Sequence, residues 1–186
     1  MARWGRRSVL AALAGLAAPA LGAAGAASGN RIGSGAAGSL PMPPPLKPGS
    51  RVVAIAPGTW WEQPREELAL LGPRVQGAGW ELVVPPATGR RWQWFSGTDH
   101  QRRTALEEAI QGQRAEALLA VTAGWGSARL LESGWQEPAR PVWLVGFSDA
   151  SALLLAQCAS GRGGAIHGGL HGDDAQWSRL VRLLRG

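Results

Sequence analysis

The stretch PVWLVGFSDASALLLAQ, Pro141 to Gln157, decides the reading of the fold. Its apolar run stops at Gly146, Ser148 and Asp149 follow, and an apolar helical pattern resumes at Ala150. A continuous apolar run is the mark of a strand buried on both faces, and such strands belong to parallel sheets covered by helices. The stretch therefore reads as strand, sharp turn and helix, with a serine at the turn.

The same alternation recurs on both sides of it. RVVAIAP (51–57), WELVVPP (80–86), AEALLAVTAG (115–124) and GGAIHGG (163–169) are strand-like, the last of them short. EQPREELALLGPRVQGAG (62–79) is helical, with Pro73 beginning its last stretch or kinking it. GTDHQRRTALEEAIQGQ (97–113) is a helix with Thr98 or Asp99 as N-cap. GSARLLES (126–133) forms a short helix, and DAQWSRLVRLLRG (174–186) a closing amphipathic one. The expectation is an α/β domain with a parallel sheet of about five strands flanked by helices, flavodoxin-like or class I glutamine-amidotransferase-like.

The rest of the chain bounds this domain. MARWGRRSVLAALAGLAAPALGAAGAASG (1–29) places basic residues first, then an apolar run from Val9 to Leu21, then Ala24-Gly25-Ala26, which is the layout of a secretory signal over residues 1–26. Arg6-Arg7 before Ser8-Val9-Leu10 resembles a twin-arginine signal. The apolar run falls short of the roughly 20 residues that a spanning helix needs. Export to the periplasm is expected, with membrane contact only through an uncleaved leader. Residues 27–50 are rich in Gly, Ala, Ser and Pro and read as a flexible or polyproline-like linker before a domain at 51–186.

The net charge of +6 lies in residues 1–51. Arg3, Arg6, Arg7, Arg31, Lys47 and Arg51 account for six of the 19 basic residues, and all 13 acidic ones follow Arg51. The remaining body is neutral, which argues against a nucleic-acid partner. Cys158 is the one cysteine, so no internal disulfide forms, and a buried structural thiol is expected. His100, His167 and His171 lack metal-ligand spacing, so neither metal nor other cofactor is expected. Ten tryptophans without a tyrosine read as half core, half rims of a pocket.

In an open parallel sheet, chemistry gathers at the carboxyl ends of the strands. Three tips lie there: Pro57-Gly58-Thr59, Ala123 to Ser127, and Gly146 to Asp149. Gly146-Phe147-Ser148-Asp149-Ala150 has the form G-x-S-x-A, close to the G-x-S-x-G nucleophile elbow, in which small residues two before and two after the serine relieve crowding. Ser148 is the candidate nucleophile, with the N–H of Asp149 toward an oxyanion; the simpler reading makes Ser148 or Asp149 only a helix cap. Gly124-x-Gly126 lacks the third glycine of a dinucleotide loop, Arg129 standing in its place, and is better suited to an oxyanion or carboxylate.

These motifs together resemble the LD-carboxypeptidase family, serine peptidases that include microcin-immunity hydrolases. LKPGSRVVAIAPG (46–58) is similar to the family's opening strand, and FSGTDHQRRTALEEAI (95–110) to its Gly-Thr-Asp and Arg segment. AVTAGWGSARLLE (120–132) resembles its Arg-Gly-Gly-Tyr-Gly loop, with Thr122 in place of the arginine. VWLVGFSDASALLL (142–155) resembles its elbow, and AIHGG (165–169) its His-Gly-Pro. The resemblance spans Leu46 to Gly169.

The resemblance implies hydrolysis of the amide between an L-centre and a terminal D-amino acid in a peptidoglycan tetrapeptide, or of a peptide–nucleotide antibiotic or other modified peptide. Ser148 would attack, the N–H groups of Asp149 and Gly124 would hold the oxyanion, and Trp125, Gly126 and Ser127 would bind substrate. In the family, the Glu and His that complete the catalytic set come from a C-terminal domain, which is expected to be absent from this chain. His167 matches a structural position, and neither it nor His171 inherits the base role. The chain then reads as a half enzyme, inactive without a partner half. The alternatives are a non-catalytic exported peptide-binding module and a decayed fragment.

Overall fold

The computed structural model describes residues 40–112, 114–132, 134 and 138–186. The expected export signal and residues 27–39 of the expected linker lie outside the described residues. Five parallel strands form one sheet: β1 (Arg51–Ile55), β2 (Glu81–Val83), β3 (Ala117–Ala120), β4 (Trp143–Gly146) and β5 (Ala165–His167), in the order β2-β1-β3-β4-β5. Val53 pairs with Leu118, Leu118 with Leu144 and Val145 with Ile166, so the buried runs lie side by side in register. This is the flavodoxin-like order, whose direction of winding switches between β1 and β3.

Four helices cover the sheet: α1 (Pro64–Gly77), α2 (Asp99–Glu107), α3 (Ser151–Ala159) and α4 (Asp174–Arg185). Side chains alternate across each strand. Val52, Ala54, Leu119 and Val145 pack with Leu71 and Val75 of α1 and Leu180 and Leu184 of α4. Val53, Ile55, Leu118 and Leu144 pack with Leu106 of α2 and Leu153 and Leu154 of α3. Both faces of every central strand are thus core, which is why the sequence shows unbroken apolar runs there.

Four details depart from, or sharpen, the expectations. Thr98 is the N-cap of α2: its hydroxyl accepts from the Gln101 N–H at 3.2 Å, and the Gln101 side chain accepts from the Thr98 N–H at 3.0 Å. α1 runs unbroken through Pro73, whose ring lies on the exposed side. Residues 41–50, expected as tether, lie against the body: the Trp143 indole donates to the Pro44 carbonyl at 2.9 Å, the Leu46 N–H donates to the Leu184 carbonyl at 2.7 Å, and Leu46 joins the core.

The Cys158 thiol, expected buried, is exposed. The sheet-facing side of α3 is set by Leu153, Leu154 and Gln157 instead. The Gln157 amide donates to the carbonyls of Val142 and Gly163 at 3.2 and 2.7 Å, so a polar residue holds the inward place at the end of an apolar helix. Among the described tryptophans, Trp61, Trp80 and Trp143 are buried, while Trp92, Trp94 and Trp125 are exposed.

Candidate active site

The carboxyl ends of β1, β3 and β4 meet at one end of the sheet, and side-chain hydrogen bonds bolt them together. Ser148 follows β4 after one intervening residue, Phe147, and is exposed. Its φ is +52°, in the left-handed region that non-glycine residues seldom adopt. The turn is tight: a Cβ on Gly146 would lie 2.8 Å from the Ala150 Cβ and 3.0 Å from the Ala120 Cβ. Small residues two before and two after the serine are therefore a steric requirement, as an elbow demands.

The side chain of Asp149 turns back to the Gly-rich loop after β3. Its Oδ2 accepts from the Ser127 N–H at 2.9 Å and from the Ser127 hydroxyl at 2.6 Å. A Cβ on Gly58 would stand 2.5 Å from the same oxygen, so the tip of β1 leaves room for this carboxylate. Ser127 is fully buried with both donors engaged, and Gly126 is buried under the Phe95 ring. Of the three residues expected to bind substrate, Trp125 is the exposed one; its ring packs 4.6 Å from that of Phe95. Ser127 and Gly126 hold the loop's shape from beneath.

Gly124 has φ +92°, and a Cβ there would collide with Thr59, 2.4 Å from its methyl carbon. Thr59 fixes the approach, its hydroxyl donating to the Ala123 carbonyl at 2.7 Å. Gly124 itself is exposed beside the Ser148 turn, in the loop where an oxyanion donor was expected.

Arg102, whose side chain is wholly buried, ties the first two tips together. One of its terminal nitrogens donates to the carbonyls of Pro57 and Gly126, the latter at 3.0 Å. The other meets Asp99 Oδ1 at 2.5 Å, and Arg129 grips Asp99 Oδ2 through Nε and Nη2 at 2.8 and 2.5 Å. The Arg129 fork holds the Asp99 carboxyl below its ordinary range, with Arg102 adding to it against partial burial. Asp99 in turn raises the Arg129 guanidinium.

Beside these tips, on the α1 side, lies an open cleft of about 280 Å³. Thr59, Trp60, Trp61, Glu62, Glu67, Thr122, Gly124, Phe147 and His171 contribute to its lining. His171 Nε2 lies 3.1 Å from Glu67 Oε2. Sequence reading missed this pair, because a residue of α1 and one of the turn after β5 carry no shared local signal. His167 pairs with Gly146 in the ladder and lies on the edge strand β5, outside this cleft. Among the described residues, no three His, Cys, Asp or Glu side chains converge as metal ligands would.

Comparison with known proteins agrees with this arrangement. The family profile of the LD-carboxypeptidase N-terminal domain matches residues 51–168. A protein of Synechocystis sp., provisionally named a carboxypeptidase, is 36% identical over 153 residues, covering 78% of this chain and 48% of its own length. A protein of Streptomyces coelicolor with the same provisional name is 32% identical over 122 residues, covering 61% of this chain and 38% of its own. The chain thus spans about half or less of the length of these relatives.

Among solved structures, the MccF-like protein of Bacillus anthracis superposes with a TM-score of 0.69 at 20% identity, over 78% of this chain and 47% of that one. Muramoyltetrapeptide carboxypeptidase from Oxalobacter formigenes gives 0.51 at 21% identity, over 67% and 42%. These likenesses show a shared fold. The profile match covers well over half of the sequence and includes the Ser148 turn, so the chain belongs to the LD-carboxypeptidase family, through its N-terminal domain.

Proposed function

We propose that Ser148 is the nucleophile of a serine-type LD-carboxypeptidase that removes a terminal D-amino acid from peptidoglycan-derived peptides. The observation that carries this reading is the left-handed backbone of Ser148 between Gly146 and Ala150, where a Cβ on Gly146 has no room. Strain of this kind, about 1–3 kcal/mol, persists where the surrounding structure enforces it and gathers at active sites. A capping serine needs no left-handed backbone.

In this mechanism the Ser148 Oγ attacks the carbonyl carbon of the L,D amide while a base takes its proton. The N–H groups of Asp149 and Gly124 hold the resulting oxyanion. Collapse breaks the C–N bond, the D-amino acid leaves after its nitrogen takes that proton, and water then releases the acyl group from Ser148. Asp149 does not orient a base in this scheme; its carboxylate is committed to Ser127. By the family resemblance, the base and its carboxylate partner would come from the family's C-terminal domain. Export to the periplasm, with the leader removed or retained as an anchor, would place it beside wall peptides.

The test is D-alanine release from a muropeptide tetrapeptide by the full chain, and by the chain fused after Gly186 to the remaining half of the Synechocystis relative. Release is expected from the fusion, and Ser148→Ala in the fusion should abolish it. Undiminished release by the Ser148→Ala fusion overturns the assignment of the nucleophile. A folded fusion that binds the tetrapeptide without cleaving it favours a binding module.

A further inference from the structure

We propose that the groove between α4 and the edge strand β5 docks the folded body on an anionic membrane surface: lipid phosphates meet its arginines, and the apolar layer beneath them meets its apolar lining. The proposal does not rest on the hydrolase reading, because the groove shares no residue with the three tips around Ser148. Its volume is about 840 Å³. Met42 and Pro43 before β1, Trp143 of β4 and Ile166 of β5 line it together with Arg179, Arg182 and Leu183 of α4.

The lining offers apolar contact that folding leaves unused. Met42 and Leu183 are both exposed in the groove, and Leu40, just before it in the chain, is exposed as well. The core contacts of α4 are made by Leu180 and Leu184 instead. The one polar group of the Trp143 side chain already donates to the Pro44 carbonyl at 2.9 Å, so this part of the lining calls for apolar contact and no hydrogen bond. Exposed apolar side chains that share one groove mark an interaction site, whereas single ones such as Leu70 on α1 and Leu155 on α3 are ordinary surface.

Charge selects the occupant. Arg179 and Arg182 stand three residues apart on α4 and so share a face. Among the described residues neither forms an ion pair, and no Asp or Glu lines the groove. A second copy of this chain fits poorly, because a two-fold contact through this groove would set these arginines against their own copies. A guanidinium matches phosphate oxygens, and its stem lies along apolar surface while its head reaches outward. Phosphate over an apolar layer is what an anionic bilayer presents. In the sequence, residues 1–39 with their apolar run Val9 to Leu21 enter the body at Leu40, next to this face. A single short anchor holds a membrane only reversibly, and a basic patch is the second signal that makes the hold stable.

The experiment places an environment-sensitive nitrobenzoxadiazole label on a single cysteine of the full chain, with Cys158→Ser as background. Leu183→Cys reports from the groove, and Leu155→Cys from α3, which packs on the opposite face of the sheet. Vesicles of phosphatidylglycerol and phosphatidylcholine in equal parts should shift the label at 183 to the blue and leave that at 155 unchanged. With Arg179→Gln and Arg182→Gln together, both at exposed positions, the response at 183 should need about thirtyfold more anionic lipid. The first 39 residues are the same in every variant, so binding through them alone leaves the two labels alike. Equal responses at 183 and 155, or a response at 183 that the double substitution does not weaken, overturns the proposal. A blue shift at 183 that grows with protein concentration in the absence of vesicles overturns it too, in favour of a second copy.

Discussion

At the scale of single residues, the site depends on positions where no other side chain fits. Gly126 combines φ +111° with a Cβ position 2.6 Å from the Phe95 ring. Gly126→Ala should cost about 2–3 kcal/mol in urea unfolding, through backbone strain and overpacking together. Asp149 shows the same economy through hydrogen bonds. Its carboxylate is the partner of both Ser127 donors, so Asp149→Ala leaves them buried and unpaired and should cost about 2–3 kcal/mol. Ser127→Ala keeps the backbone donor paired and should cost less than half of that. Equal losses in the two variants would mean that the hydroxyl, and not the loop amide, carries the strap.

At the scale of elements, α2 carries the electrostatics. Its first residue, Asp99, is shared between Arg102 on the next turn and Arg129 on the short turn after β3. A carboxyl held below its ordinary value of 3.8 stabilises the folded state fully above that pH. The contribution is lost as pH falls from there through the lowered folded value. Asp99→Asn should therefore flatten the acid limb of a stability–pH curve below about pH 4, while its difference from the parent is constant at neutral pH. The N-cap makes a separate, pH-independent contribution: Thr98→Ala should cost about 1 kcal/mol, read as a drop in the denaturation midpoint.

The elements also show what a sequence conveys. The capping box of α2 is legible because its partners are three residues apart, and the central strands β1, β3 and β4 are legible because both faces of each are buried. Pro73 misleads: it removes one helix hydrogen bond, yet its exposed position lets α1 continue through it. The tether misleads for a different reason. Polyproline-like composition forms no core of its own, but Pro43 and Leu46 find one ready-made against Gly164 and α4. Cys158 misleads because α3 is mostly apolar all round and its one inward polar residue is Gln157, so its pattern does not declare which side faces the sheet.

At the scale of the whole molecule, β1, β3 and β4 are flanked by strands on both sides and covered on both faces, whereas β2 and β5 are the edges. Amide exchange should be slowest in the three central strands and fastest at β2 and β5. Protection of β5 equal to that of β3 would contradict this order. The sequence by itself determined the alternation of strands and helices, the parallel sheet and the serine at the turn, because each rests on periodicity or spacing within a few residues. Only the tertiary structure decided the strand order, the left-handed backbone of Ser148, the hold of Asp149 on Ser127 and the meeting of Glu67 with His171. Those depend on segments distant in the chain that become neighbours when the sheet assembles, and no local pattern encodes such a meeting.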